Sequence, residues 1–519
     1  MKEEELLINR LRAYGESPIY PFHMPGHKRL KACNGRQGAV REGMDFPNPF
    51  LTDITEVEGF DNLHHAQGIL KTSMEWAAKI YGADRTWYLV NGSTCGILAA
   101  VCGCTQSGGR ILMSRNCHKA AYHAAYLNHL DITYVYPQNI PELGIQGGIL
   151  PEDVEKLLSE HRDIQAVLLV SPTYDGIVSD IERIGEIVRR AGTPLIVDEA
   201  HGAHFHFGKC LSKSALDQGA DVVIQSVHKT LPSLTQTSLL HVKAKGPEGS
   251  FLADPQKIGR YLSIFQSSSP SYVLMASIEN SIFCMERMRR EGRIEDYGRR
   301  LADLRRRLAS MQHLKLADQD LKGTAGIADL DIAKFVISTR GTRLSGESLS
   351  SILREKYGLE MEMCGADYVT AITSVFDSEE GLKRLEKALM EIDREASSLK
   401  EGEDMREEET AWNMEVQAVL SLREAMDGPF RELPLAESIG SISAEFVYLY
   451  PPGIPILAPG EKIGYNILRV IETYIEKDLP VQGLADESLK TIRVLEESRA
   501  HGKDIFFNGK ECLGEGHNL

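Results

Sequence analysis

Between Thr86 and Lys243 short runs of β-branched and apolar residues alternate with stretches of helical periodicity. The runs are Thr86 to Val90, Arg110 to Ser114, Ile132 to Tyr136, Ala166 to Ser171, Pro194 to Glu199, Asp221 to Ser226 and Ser238 to Lys243. Such alternation is what a mostly parallel sheet covered by helices on both faces requires, so the chain is expected to be α/β, with one large domain built on seven strands. Between the runs, Pro151 to His161 reads as a helix opened by its proline, and Ile181 to Arg190 as a helix stopped by Gly192 and Pro194.

Downstream, the Arg-rich segment Met285 to Arg307 reads as one long solvated helix. Phe335 to Thr339, Ser345 to Lys356, Thr370 to Phe376 and Ser378 to Ser398 read as a β-α-β-α unit able to close its own core. Glu401 to Glu409 is too charged to pack and is the best linker candidate. Beyond it, Tyr450 to Glu461 (YPPGIPILAPGE) is a rigid Pro/Gly segment suited to framing a site or an interface. The expected divisions are residues 1–60, an N-terminal segment; 61–290, a large domain; 291–400, a small α/β domain; and 410–519, a C-terminal domain.

A chain of 519 residues is long enough for several cores, at roughly 100 to 200 residues per domain. Lys+Arg 58 against Asp+Glu 74 gives a net charge of -16, which repels phosphate backbones and argues against nucleic acid as a partner. No stretch approaches the roughly 18 apolar residues of a membrane span. The nine cysteines, Cys33, Cys95, Cys102, Cys104, Cys117, Cys210, Cys284, Cys364 and Cys512, are odd in number and contain no C-x-x-C pair, which suits reduced thiols and a cytoplasmic protein. Cys102 and Cys104 follow a small apolar run and read as packed helix rather than as metal ligands.

Leu195 to His201 (LIVDEAH) looks at first like the magnesium-holding strand end of an ATPase, but that chemistry needs a Gly-Lys-Ser/Thr phosphate loop. The Gly-Lys pairs at Gly208, Gly502 and Gly509 are followed by Cys210, Asp504 and Glu511, so the loop is missing. His201, His204 and His206 could be mistaken for a zinc site with Asp198, but on a strand end and its following loop those side chains diverge, so no metal is expected.

More informative is the 31-residue spacing between Asp198, ending one strand, and Lys229, following the next. Both then sit at carboxyl ends of neighbouring strands, where open α/β sheets bind ligands. A lysine that forms an imine with an aldehyde and a buried carboxylate that keeps a pyridine nitrogen protonated suit pyridoxal 5'-phosphate. Asn91 to Leu98 (NGSTCGIL) opens a helix whose backbone N–H groups, with the hydroxyls of Ser93 and Thr94, make a phosphate socket.

These residues stand in motifs that together resemble the Orn/Lys/Arg decarboxylase family: HMPGHK (His23 to Lys28), DITEVEGFDNLHHAQG (Asp53 to Gly68), NGST (Asn91 to Thr94), RNCHKA (Arg115 to Ala120), PTYDG (Pro172 to Gly176), DEAHGAHF (Asp198 to Phe205), SVHKTL (Ser226 to Leu231), SSSPSY (Ser267 to Tyr272) and YPPGIPILAPGE. The resemblance implies the aspartate-aminotransferase fold (fold type I of the pyridoxal-phosphate enzymes), a seven-stranded mostly parallel sheet followed by smaller α+β C-terminal domains. HMPGHK begins at residue 23, which implies the short branch without the N-terminal wing domain. By position, Lys229 is implied as the cofactor lysine, Asp198 as partner of the ring nitrogen, His118 as the ring stacked on one cofactor face and Ala200 as the cover of the other. Gly92, Ser93, Thr94, Ser226 and His228 are implied as phosphate ligands, with Ser268 reaching the neighbouring subunit's phosphate. His201 is counted with the cofactor contacts, at a position where some members have an aromatic residue.

The implied activity is decarboxylation of a basic L-amino acid, arginine to agmatine first, then lysine to cadaverine or ornithine to putrescine, by a homo-oligomer that is at least a dimer. Lys229 and His118 are the candidate proton donors to the α-carbon. Glu445, just before the rigid turn, is the candidate acceptor of the substrate's distal cation, with Asp367 next. An aminotransferase or carbon–sulfur lyase on the same cofactor, for which only Arg354 and Arg384 offer a late carboxylate-binding arginine, and a non-catalytic homologue are the alternatives.

Overall fold

The computed structural model describes residues 7–29, 48–243, 251–396 and 416–496. Its centre is a seven-stranded sheet of β1 (Arg85–Leu89), β2 (Arg110–Ser114), β3 (Asp131–Val135), β4 (Ile164–Val170), β5 (Leu195–Asp198), β6 (Val222–Gln225) and β7 (Ser238–Val242). The order across the sheet is β1-β7-β6-β5-β4-β2-β3. β2 to β6 are mutually parallel and β7 runs antiparallel to both neighbours. Every one of the seven runs expected from the sequence is a strand of this sheet, within two residues at each end. Their legibility has a physical cause: strands covered on both faces have no solvent side to alternate with, and β5, β6 and β7 are buried along their whole length.

Helices cover the sheet through local signals. Ile181–Arg190 is capped by the Asp180 side chain, which accepts from Arg183 N–H at 3.0 Å, and it ends on Arg189 and Arg190, favourably placed at the negative end of the helix. Gly92–Cys104 follows β1 and lies so close to the sheet that a Cβ at Gly96 would stand 2.7 Å from Leu89 Cδ1 and 3.0 Å from Ile224 Cγ2. Cys102 is buried in this helix.

The Arg-rich segment departs from expectation. Two helices, Tyr272–Arg290 and Arg293–Leu308, meet at Gly292, whose φ of +72° breaks the run. Arg305 is buried rather than solvated: its guanidinium donates to Ile332 O, Ala317 O and Lys334 O and pairs with Asp318 at 3.0 Å. A buried cation persists only with such partners, and these lie on segments that sequence order does not place beside it.

The smaller unit is also built differently. β8 (Lys315–Leu316), β9 (Lys334–Ser338), β10 (Met363–Cys364) and β11 (Tyr368–Ile372) form an antiparallel sheet in the order β8-β9-β11-β10. After helix Gly346–Tyr357 the chain does not return as a parallel strand. Leu359–Met361 pairs in parallel with Tyr20–Phe22 of the N-terminal segment, and the chain then turns back through β10 into β11. Phe335, Leu349, Leu353 and Val369 belong to the same buried cluster as the large sheet, so this unit shares a core instead of closing its own. Lys28 fastens the N-terminal segment there: its ammonium donates to Pro21 O, His23 O and Ile372 O and lies 3.9 Å from Asp377. The linker expected at Glu401 to Glu409 lies outside the described residues, as do Cys33 and Cys512.

Residues 416–496 carry a separate cluster that includes Val447, Leu457, Leu468, Ile471 and Val494. Phe430–Pro434 pairs with Thr491–Leu495, and Val447–Leu449 lies between Ile454–Leu457 and Val481–Gln482. This unit is tied to the large domain by Arg115, which donates to Pro455 O (2.7 Å), Ile456 O (3.1 Å), Tyr122 Oη (2.7 Å) and Glu461 Oε2 (3.1 Å). Both charges are buried, so losing one leaves the other unpaired at a cost of about 3 to 5 kcal/mol. Arg115→Met should therefore lower unfolding stability in urea by that order and speed proteolysis of residues 416–496 first. Arg115→Met with Glu461→Gln, which leaves no orphaned charge, should recover part of the loss.

Candidate active site

The sheet topology brings the site together. β5 and β6 are parallel neighbours with Asp198 opposite Ile224, so the ends of both strands open on the same edge. Asp198 is the last residue of β5, and Lys229 lies on the single helical turn Val227–Thr230 that follows β6. Both face a cavity of about 470 Å³, which Gly92, Ser93, Thr94, His118, Ala200, His201, Ser226 and His228 also line.

Gly92 opens its helix with φ +73° and gives its N–H to Gln236 O at 2.9 Å, so the socket at this helix start rests on the residues after it. The Ser93 hydroxyl stands 2.7 Å from that of Ser226 and 3.2 Å from that of Ser238. His228 Nδ1 donates to Thr237 O at 2.8 Å, which leaves Nε2 for the cavity. Burial pushes this ring down to about 4. His118 caps helix Lys119–Leu127: its Nδ1 accepts from Ala120 N–H at 3.1 Å, which puts the proton of the neutral ring on Nε2. Burial, then the Lys229 and Lys119 cations, push its pKa down to about 3. Asp198 accepts from Ala200 N–H at 3.1 Å, and burial raises it while Lys229 acts against that rise. Lys229 is lowered, by burial first, and its Nζ lies 3.0 Å from His201 Nε2.

The Pro/Gly segment frames this cavity. Tyr450, Pro451, Pro452 and Ile454 line it, and Gly453 O accepts from Lys119 N–H at 3.1 Å. Met24 and Pro25 of HMPGHK close another wall. Two candidates lie elsewhere. Ser268 is exposed and away from the cavity of its own chain. Glu445 is corrected as a cavity residue of this chain: its oxygens accept from Ala485 N–H (3.0 Å) and Arg493 N–H (2.8 Å), holding together loops and strands of the C-terminal unit, and it is not in the cavity wall. The segment before a rigid turn offered two directions, and backbone donors captured the carboxylate. Arg354 pairs with Glu360 at 3.2 Å and Arg384 donates to Tyr357 O and Gly358 O, so neither presents a guanidinium to the cavity.

Three participants were not singled out from sequence. Glu362 lines the cavity, accepting from the Tyr174 hydroxyl and, at 2.8 Å, from Met24 N–H. Tyr174, inside the PTYDG motif, packs its ring against His201 with centroids 4.7 Å apart. Lys334, at the start of β9, reaches His201 Nδ1 at 2.8 Å. A lysine leading an apolar strand was the one available signal for it, and only the fold reveals where its amine goes. Asp367 also lines the cavity, paired with Arg340 at 3.0 Å.

The donor set fits a flat, phosphorylated aldehyde. One amine stands among side chains that keep it from holding a proton firmly, a carboxylate bound by one N–H lies deep in the cavity, an imidazole and a methyl group line it, and hydroxyls and a helix start gather beside them.

Comparison with known proteins agrees with this arrangement. Residues 6–325 match the major domain of Orn/Lys/Arg decarboxylases and residues 403–487 match their C-terminal domain. The chain is 33% identical to an arginine decarboxylase of Halalkalibacterium halodurans over 502 residues, 96% of this chain and 99% of that protein. It is 32% identical to an arginine decarboxylase of Bacillus subtilis, again over 96% of this chain and 99% of the relative. Among solved structures, the lysine decarboxylase of Francisella novicida has the same fold with a TM-score of 0.71 at 20% identity, covering 94% of this chain and 83% of that one. The alanine–glyoxylate aminotransferase of Nostoc shares the large-sheet architecture at a TM-score of 0.51 and 15% identity, covering 76% and 97%. Matched by both domain profiles and nearly end to end by these relatives, the chain belongs to the Orn/Lys/Arg decarboxylase family.

Proposed function

We propose that this decarboxylase acts on arginine, releasing CO₂ and agmatine in polyamine metabolism, with pyridoxal 5'-phosphate held by Lys229, Asp198, His118 and Ala200, and its phosphate by Ser93, Thr94, Ser226 and His228. The observation that carries this is the convergence of Lys229 and Asp198 from neighbouring strand ends on one cavity that Glu362 also lines. The identity to arginine decarboxylases over nearly the whole chain supports arginine ahead of lysine or ornithine.

Bound there, the cofactor supplies an electron sink for the pair left at Cα when the carboxylate departs. The chain's residues set the conditions. Asp198 would hold a proton-bearing ring nitrogen, and its burial would make the interaction strong by excluding water. His118 and Ala200 would hold the cofactor ring between an imidazole and a methyl group. Lys229 is the better proton donor to Cα, because His118 has committed Nδ1 to Ala120 N–H and burial opposes its becoming an imidazolium. The substrate's distal cation is met by Glu362, whose carboxylate is oriented by two neutral donors and has no ion-pair partner within 4 Å among the described residues, whereas Asp367 is already neutralised by Arg340.

A dimer is the proposed active form. Phe50 and Leu51 are 95% and 81% exposed and Leu7 is 72% exposed, apolar surface on the N-terminal segment that a second copy would cover. Ser268, exposed near the helix Tyr272–Arg290, is positioned at the surface as a residue serving a neighbouring site must be. A cytoplasmic location fits the seven free thiols among the described residues.

Lys229→Ala should lose the visible absorbance of bound cofactor and several orders of magnitude of turnover, measured by spectroscopy and by CO₂ release from arginine, lysine and ornithine; a retained rate rejects the assignment. Asp198→Ala should still take up cofactor through its phosphate while CO₂ release stalls, and unimpaired release would remove Asp198 from its role. Glu362→Gln should raise KM for arginine by about tenfold or more with a smaller change in kcat, a loss of the size expected for one hydrogen bond to a charged group. Glu445→Gln should leave KM unchanged. Light scattering should give at least twice the 57.7 kDa chain mass, and a fully active monomer would refute the dimer.

A further inference from the structure

The two nitrogens of His201 are each engaged by a lysine. Lys229 Nζ stands 3.0 Å from Nε2 and Lys334 Nζ 2.8 Å from Nδ1. A neutral imidazole has one N–H and one lone pair. Between two ammonium groups its N–H would point at another donor, and an imidazolium donating to two amines is opposed by burial. Both contacts are hydrogen bonds, with the ring neutral, when one lysine is an ammonium and the other an amine.

We propose that Lys334 is a positioning residue for Lys229: through His201 it takes the proton that Lys229 must lose before its amine can attack an aldehyde. In this exchange the Lys229 ammonium gives a proton to His201 Nε2 while His201 Nδ1–H gives its proton to the Lys334 amine. One proton leaves Lys229, one arrives on Lys334, the ring changes tautomer, and net charge is conserved. The proposal rests on the reading of Lys229 as the cofactor lysine and adds a function for a residue outside the cavity wall.

The surroundings favour the proton on Lys334. Asp331, Glu362 and Asp175 all attract its cation, and it lies 5.7 Å from the centroid of the Tyr174 ring. Lys229 has Asp198 and Glu362. The other rings facing His201 are occupied, His204 by Asp331 at 3.1 Å and His228 by Thr237 O. Burial pushes Lys334 down to about 8, low enough for it to exchange protons near neutrality.

The test is the pH dependence of cofactor capture by chain freed of cofactor, read as the rate at which the visible band appears on mixing with pyridoxal phosphate. Lys334→Met removes the proton acceptor, so the capture midpoint should rise by about one pH unit, which slows capture about tenfold at neutral pH. Lys334→Arg cannot take a proton but fixes in place the cation that the exchange leaves on Lys334, donating to His201 Nδ1 so that Nε2–H faces an uncharged Lys229, and should hold the midpoint at or below that of the unaltered chain. An unchanged midpoint in Lys334→Met overturns the proposal. So does a midpoint in Lys334→Arg as high as in Lys334→Met, which would make the side chain a packing element only. If the unaltered chain gives no band, the cofactor reading itself fails and the proposal with it; a band that forms with the same midpoint in all three chains overturns the proposal alone.

Discussion

The parallel pairing of β5 with β6 is the constraint on which the site depends. With Asp198 opposite Ile224, the chain leaves both strands on the same edge, and the turns that follow deliver a carboxylate and an amine to one cavity. A slip of one residue would turn the side chains of either strand to the opposite covered face and misfit a core in which Ile196, Val197, Val223 and Ile224 have no accessible surface. Register is thus enforced by burial far from the chemistry, and the catalytic geometry inherits its precision from the hydrophobic core.

What the sequence made readable and what it hid divide along this line. Strands buried on both faces read as continuous apolar runs, and the residues that end them follow by position, so the seven strands and the neighbourhood of Asp198 and Lys229 could be inferred. Interactions between residues far apart in the chain could not. Lys334 meets His201 across 133 residues, and Arg305 is buried because Ile332, Ala317 and Lys334 turn their carbonyls toward it. Nothing in the charge pattern around Arg305 separates it from the solvated arginines beside it; Arg306 on the same helix has a side chain 75% exposed. The small unit misled for a related reason: two-residue strands such as β8 and β10 are too short to show a period, so the hairpin that makes the sheet antiparallel leaves no trace in periodicity.

The cavity is a joint product of three parts of the chain. The large sheet supplies the amine and the carboxylate, the N-terminal segment closes one side through Met24 and Pro25, and the C-terminal unit closes another through Tyr450 to Ile454. The last two are each held by a buried cation that donates to main-chain carbonyls: Lys28 to Pro21, His23 and Ile372, and Arg115 to Pro455 and Ile456 besides the side chains of Tyr122 and Glu461. Carbonyl acceptors make these contacts specific to backbone position rather than to side-chain identity, so the walls are fixed by chain path.

That division of labour explains why Glu362, and not the Glu445 that sequence position suggests, lines the cavity. Glu445 lies beside the rigid turn, but Ala485 N–H and Arg493 N–H claim both its oxygens, and a carboxylate bonded to backbone donors within its own unit has little left to offer a ligand. Glu362 sits between the N-terminal segment and the large domain, oriented by Met24 N–H and the Tyr174 hydroxyl, and the two groups that hydrogen-bond it are neutral donors, with the lysines Lys229 and Lys334 acting on it only through space. Neutral donors steer a carboxylate without cancelling its charge, whereas a guanidinium partner such as Arg340 beside Asp367 cancels it. The Glu362 carboxylate therefore reaches the cavity without a guanidinium beside it, where the N-terminal wall meets the large domain.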